Sequence, residues 1–277
     1  MRIRINFSKL LSTIILGLFT ITMLFPLLWM ISASFKYELD VFNYPIQWIP
    51  PKWNAIENYK QVWSSRYNFP LYFWNTTKIA VSVTAIQLVI ASMAAFAFAK
   101  MNFKFKNILF ALFIATMMIP DQVTIVPKFM LLTWFGLIDS HSGLVLLLVF
   151  SVYGIFLLRQ FMMSIPDSLI EAAKIDGATY LRVFMQIVIP ISKPVLATLA
   201  ILRFIWTWDD YQNALIFLNS KELFTIQLGM AQFASQSGTF YAMLMAAAVC
   251  AMLPLLIVFI LGQRFIIEGI TSGAVKG

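Results

Sequence analysis

The sequence predicts an all-α membrane protein of six transmembrane helices with both termini in the cytoplasm. Three observations carry the prediction: composition, six long apolar runs, and the placement of basic residues between them. Of 277 residues, 61% are apolar and 12% charged, with a mean hydropathy of +0.83. A typical soluble domain is about 45–50% apolar and about 25% charged. Half the usual charge cannot cover a soluble surface, and disorder needs low hydrophobicity with high charge. Both classes are excluded. The single cysteine, Cys250, allows no internal disulfide, and the single histidine, His141, leaves no His/Cys cluster for a metal.

A transmembrane helix needs about 20 mostly apolar residues. Six stretches qualify in chain order: Leu10–Ile31, Thr76–Ala99, Asn107–Val126, Ser142–Leu158, Pro194–Phe217 and Tyr241–Leu261. The first follows Arg2, Arg4 and Lys9 and precedes the small residues Ser32, Ala33 and Ser34, as a secretory signal does. Its apolar run is nearly twice the ~7–15 residues of a signal core, so it reads as a retained helix.

Basic residues sort by side. Arg2, Arg4, Lys9, Lys100, Lys104, Lys106, Arg159, Lys174, Arg182, Lys193, Arg264 and Lys276 fall in one set of segments. Lys36, Lys52, Lys60, Arg66, Lys78, Lys128 and Lys221 fall in the other, where Glu38, Asp40 and Glu57 share the first loop. The larger set marks the cytoplasmic side by the positive-inside rule. Topology thus accounts for the net charge of +8, and nucleic acid is not needed as a partner. The first outer loop, about Ser32 to Asn75, carries Trp48, Trp53, Trp63 and Trp74. These suit short helices at the headgroup level or a surface that docks an extracytoplasmic partner.

The longest inner loop, 159–193, reads as two short amphipathic helices joined at a glycine. Pro166 suits a helix start, and Ser168 with Glu171 three residues later has the capping-box spacing. Leu169, Ala172 and Ala173 form a small apolar stripe suited to close approach by a partner. Gly177 permits the left-handed turn that ends the first helix. Tyr180, Val183, Phe184 and Ile187 keep helical spacing until Pro190.

In this loop Glu171-Ala172-Ala173, then Gly177 after three residues, then Ile187 and Pro190, resembles the EAA loop of importer-type ABC permeases. The wider EAAKIDGA resembles the carbohydrate branch. WTWDDYQNALIFL, TIQLGMAQF and the terminal QRFIIEGITSGAVKG resemble the maltose-type G permease and its multiple-sugar relatives. The likeness runs from about Asn75 to Gly277. Ile189 stands where the family often has leucine, and Asp209 where many relatives carry asparagine.

The resemblance implies a type I ABC importer permease fold in the cell membrane, with an N-terminal helix and outer aromatic loop over 1–74 and a permease core over 75–277. It implies one of two membrane subunits of an ATP-driven, binding-protein-dependent sugar importer. The partners would be an F-like permease, a cytoplasmic ATPase dimer, an extracellular sugar-binding protein, the sugar (an oligosaccharide) and membrane lipid. Glu171, Ala172, Ala173, Asp176, Gly177 and Pro190 would couple to the ATPase. In the 264–277 tail, Gly273, Ala274, Val275, Lys276 and Gly277 would reach between the ATPases. The tail's glycines and small alanine are also too flexible to make a helix end of their own. No cofactor is expected on this chain: ATP and Mg belong to the ATPase, and no G-x-x-x-x-G-K-[ST] loop occurs here. No catalytic or metal residues are expected.

The fifth span is the most unusual. Arg203 lies inside it, where exposure to lipid costs roughly 2.5–3.5 kcal/mol, so it should face the protein interior or a water-filled path. Asp210, seven residues on, would share its face about 10.5 Å further out, and Trp206 could stack on the arginine or on a sugar ring. Arg203, Trp206 and Asp210, with Tyr211 and Asn213, are the candidate substrate path. A structural contact between the two permeases explains the same charges equally well. An ion-coupled secondary transporter is the alternative function, and it needs ionisable residues or broken helices near the midplane.

The topology is tested by thiol labelling in intact cells. Cysteines placed at Lys104 or Ser168 should be shielded from an impermeant reagent, and those at Lys60 or Lys221 labelled, with native Cys250 silent. Labelling at Ser168 from outside would overturn the inward loop.

Overall fold

The computed structural model describes residues 7–64, 68–235 and 238–274. Three helices are long and apolar enough to cross a membrane: α1 (Phe7–Ser34), α3 (Phe69–Lys100) and α13 (Tyr241–Ala274). Three bent helix pairs raise the number to six when each pair counts as one span. The chain divides into two compact units, Met1–Pro70 with Gly229–Leu253, and Leu71–Leu228 with Pro254–Gly277.

The first unit holds α1, the outer loop and the start of α13. The most apolar stretch of α1 buries none of its residues, against 44% for α3. Its threonines return their hydroxyls to the helix, Thr13 to the Lys9 carbonyl and Thr20 to that of Leu16, both at 2.8 Å. Such back-bonding satisfies a polar group where no water is available. The outer loop is a folded piece with the short helix α2 (Ala55–Val62). The buried Asn58 amide donates to the Ser34 and Lys36 carbonyls at 2.9 and 2.8 Å. Trp48 meets Phe25 at 4.7 Å between ring centres, Trp53 stacks on Phe35 at 5.3 Å, and Trp63 meets Phe69 at 5.3 Å. These indoles brace the loop as well as remaining partly exposed. The Glu38 carboxylate accepts from the Tyr241 and Ala242 amides at 2.7 and 2.9 Å, capping α13 with an anion at its positive end.

In the second unit the expected third, fourth and fifth spans are all broken. The run expected at Asn107–Val126 is α4 (Lys106–Met118, its last turn 3₁₀) and α5 (Asp121–Trp134), 102° apart. Pro120 explains the break: it disfavours helical geometry at the preceding residue, and Ile119 is extended at ψ 115°. The fourth is α6 (His141–Leu148) and α7 (Val152–Met163), bent by 43°. Each begins on a serine cap, Ser140 accepting from the Gly143 amide at 3.0 Å and Ser151 from Gly154 at 3.3 Å. The fifth, α10 (Lys193–Trp208), stops at Asp209, and α11 (Gln212–Phe217) is separate. At the other end of α10, a 77° bend joins it to α9 (Tyr180–Ile191).

One apolar core joins α3, α7, α9 and α10 through Ala91, Ala95, Ile155, Leu158, Val183, Val188 and Leu199. A second, built on Ile79, Val83, Leu144, Ala214 and Leu228, joins the other end of α3 to α6, α11 and α12 (Ile226–Met230). Asn75 there donates to the Glu222 and Phe224 carbonyls at 2.8 and 3.1 Å. Gly154 lies where helices approach closely. A Cβ on it would stand 2.8 Å from Gln87 Nε2 and 3.2 Å from both Leu199 methyls. Gly154→Ala should therefore cost about 1–3 kcal/mol by overpacking, read as a lower unfolding temperature of the purified protein. An unchanged temperature would mean that the α3/α7/α10 packing is looser than described.

Candidate functional site

The inner loop folds as expected in outline and differently in detail. Its first helix, α8, spans Asp167–Ile175 with Pro166 as the residue before it. No side chain caps it, so the expected Ser168–Glu171 capping box is not used. The helix starts two residues earlier than that pattern requires, and Asp167 supplies the acidic first turn. Its C-terminus is closed by Gly177 at φ +81°. The Ala178 amide donates to the Ala173 carbonyl at 2.9 Å and the Gly177 amide to that of Lys174 at 3.0 Å. Those two bonds define a Schellman closure. Ala173 and Ala178 pack together on the first core, completing its apolar contact.

The two faces of α8 separate sharply. Ile170, 4% exposed, anchors the helix to the core beside Ile165 and Met162. Leu169, Ala172 and Ile175 face outward, Ile175 at 86% exposure. The expected stripe is thus corrected at one position: Ala173 packs on its own chain. Glu171, Asp176 and Gly177 are exposed with the outer face. Thr179 caps α9 by accepting from the Arg182 amide at 3.3 Å. α9 passes Pro190 and ends at Ile191, where the sequence pattern stopped at Pro190. A π-helical turn at Phe184–Val188 makes this possible, because a wider turn relieves the clash of the proline ring with the preceding carbonyls.

Basic residues gather where α3 ends and α8 begins. Lys100 Nζ donates to the Ile165 carbonyl at 2.6 Å and to Asp167 Oδ1 at 2.7 Å. Lys106 Nζ reaches the Ala99 and Met101 carbonyls at 3.3 and 2.9 Å, and Arg159 Nε that of Phe98 at 3.2 Å. Cations thereby satisfy the open carbonyls at the negative end of a helix. The Lys100 ammonium, hydrogen-bonded to Asp167 and opposite in charge, holds that carboxyl below its ordinary range. A depressed carboxyl contributes stability that is complete above about pH 3.9 and is lost as the pH falls through the folded value.

The fifth-span residues are divided between α10 and the turn into α11, yet Arg203 and Asp210 remain close enough to interact through their charges. Arg203 donates through its guanidinium to the Leu148 carbonyl, a group freed by the bend between α6 and α7. Asp210 lies beyond the end of α10 and accepts from the Asn213 amide at 3.2 Å and its side chain at 3.1 Å, capping α11. Trp206 meets Tyr153 edge-on at 5.5 Å in place of the arginine. The helix stops at Trp208, so one continuous helix does not carry the seven-residue spacing from Arg203 to Asp210. Trp206 and Tyr211 remain 46% and 45% exposed. Among the described residues no group of three His, Cys, Asp or Glu side chains could hold a metal.

A family model described as "Binding-protein-dependent transport system inner membrane component" matches residues 87–271, from the middle of α3 to near the end of α13. The chain belongs to this family. As a member it is a non-catalytic, multi-pass membrane component of a transport system, which removes the ion-coupled secondary transporter. Among its relatives is the arabinooligosaccharides transport system permease protein AraQ of Bacillus subtilis, 31% identical over 96% of this permease and 95% of that protein. The melibiose/raffinose/stachyose import permease protein MelC of Bacillus subtilis is 32% identical, covering 91% of each chain. The sn-glycerol-3-phosphate transport system permease protein UgpE of Yersinia enterocolitica is also 32% identical, over 90% of this permease and 91% of its own length. A chain from the crystal structure of a bacterial ABC transporter for the acidic polysaccharide alginate has the same fold, with a TM-score of 0.84 at 22% identity, covering 93% of this permease and 95% of that chain.

The matched region ends inside the expected tail. Gly273 and Ala274 form the last residues of α13, so the helix runs further than their composition implied. Val275, Lys276 and Gly277 lie outside the described residues. Sequence reasoning missed Ile170, Lys100 and Asp167, which position the loop. Lys100 was legible only as one more inward charge.

Nothing stands within 4 Å of a Cβ added to Gly177, so its substitution tests backbone strain alone. Gly177→Ala should cost about 1–2 kcal/mol, exposing the Gly177 and Ala178 amides to hydrogen exchange about 5–30-fold faster. Unchanged exchange would mean that the closure does not hold α8.

Proposed function

We propose that this permease is one of two membrane subunits of an ATP-driven, binding-protein-dependent importer of oligosaccharides, with both termini cytoplasmic. Family membership and the sugar-transport names of AraQ and MelC support a sugar importer. The observation that carries the coupling role is the outward face of α8, where Leu169, Ala172 and Ile175 are exposed on a helix fixed at both ends. An exposed apolar face on a pinned helix is suited to a cleft on a cytoplasmic ATPase, with Glu171 and Asp176 at its rim. Closure of the ATPase dimer would then move α8 and rock the permease between inward-facing and outward-facing states. Glycine and alanine at Gly273 and Ala274 suit a tail contact between the ATPases. The partners are an F-like permease, the ATPase dimer that binds ATP and Mg, and an extracellular sugar-binding protein.

In the translocation path, Trp206 and Tyr211 are the sugar contacts, because aromatic faces stack on the apolar side of a sugar ring. Arg203, Asp210 and Asn213 hold the broken helices around them.

Two tryptophan substitutions test the coupling face. Ala172→Trp should leave the permease in the membrane and reduce co-purification of the ATPase at least tenfold. Ala173→Trp, which enlarges a residue packed on the chain's own core, should lower the unfolding temperature of the permease itself. Wild-type ATPase recovery and sugar uptake in the Ala172 variant would reject the coupling role.

A further inference from the structure

The Lys100 side chain is 4% exposed, whereas Asp167, its ion-pair partner, is 75% exposed. A cation on a flexible stem is normally free to reach water, and here it is withdrawn to join two helix ends. Its ammonium sits between the last turn of α3 and the first of α8, with the Ile165 carbonyl as second acceptor. The position suits the negative end of α3 and would oppose the positive end of α8, except that Asp167 lies there to neutralise it. Lys106 and Arg159 crowd the same place, so the buried ammonium is not a cheap way to pack these helices.

We infer that Lys100 is a positioning residue that locks the register of α3 to α8, so that movement of the coupling helix reaches the second transmembrane span directly. The inference rests on the coupling role proposed for α8. The chain itself connects α8 only to α7 before it and α9 after it. Lys100, the last residue of α3, is 65 residues from Ile165 in sequence, and α3 meets α8 through the apolar core and through this clamp. Apolar packing is non-directional and permits the small sliding of helices seen in shear motions. Two charge-assisted bonds at 2.6 and 2.7 Å fix both distance and direction.

Loss of the clamp should separate coupling from stability. Lys100→Met keeps the stem volume, removes a buried charge, and leaves Asp167 in water. Removing the cation gives up the stability that the ion pair lends, but because Asp167 is 75% exposed no unpaired charge is left buried. The experiment uses the assembled importer with its ATPase in nanodiscs, in a Cys250→Ala background. Single labels are placed through Val89→Cys on α3 and Phe156→Cys on α7, at positions 58% and 36% exposed. Each label is read without nucleotide and after trapping with ATP and vanadate. In Lys100→Met the α7 response should persist and the α3 response should fall at least twofold, with the complex still folded and assembled. Lys100→Arg should restore it. An undiminished α3 response in Lys100→Met would overturn the clamp, as would loss of the α7 response alongside it. Silence of both labels in the parent complex would instead reject the coupling role of α8, a pattern distinct from either result.

Discussion

Inside a bilayer no water is available to a backbone amide or carbonyl, and each one left open costs several kcal/mol. An unbroken helix meets that constraint by itself, as α1, α3 and α13 largely do. The other crossings are broken, and each break must supply its own partners. Ser140 and Ser151 restart the fourth span by accepting the amides of Gly143 and Gly154. Arg203 takes up the Leu148 carbonyl at the same bend, and Asp210 restarts the chain after the fifth span. At the inner end of α3, Arg159 and Lys106 do the same for the carbonyls of Phe98, Ala99 and Met101. Most charges near the spans are committed to backbone groups before any question of substrate arises.

This commitment changes what an intramembrane charge means. Charged residues within spans are functional by default, and Arg203 and Asp210 were natural members of a sugar path. Their hydrogen bonds tie them to the breaks between helices, while Trp206 and Tyr211 stay exposed.

Much of the architecture was legible in the sequence because hydropathy reports segments long enough to cross lipid. Each of the six expected spans overlaps a long helix or a bent pair, the fifth only as far as Trp208. Their breaks were harder to see, although two had local signals. Ile119-Pro120-Asp121 combines a residue forced into extended geometry with a helix-starting acid, and serine followed three residues later by glycine marks the start of α6 and, at Ser151, the fourth-span bend. Hydropathy averages over such signals. The end of α10 at Trp208 had no comparable mark, since tryptophan and paired aspartates fit either a continued helix or its end. Gly177 was legible because left-handed backbone strongly favours one residue type. The inward turn of Ala173 was not, because three small or apolar residues within five positions leave the angle of the helix open until Ile170 finds its core.

That angle divides α8 between two selective pressures. The face carrying Ile170 and Ala173 answers to the permease's own interior, where volume is fixed to within a methylene. The face carrying Leu169, Ala172 and Ile175 answers to whatever lies across the membrane surface from it. The two can diverge independently, since no side chain serves both. Under the coupling role proposed for α8, three outward side chains on one short helix would make the contact with the ATPase, apart from the interior that holds the helix in place.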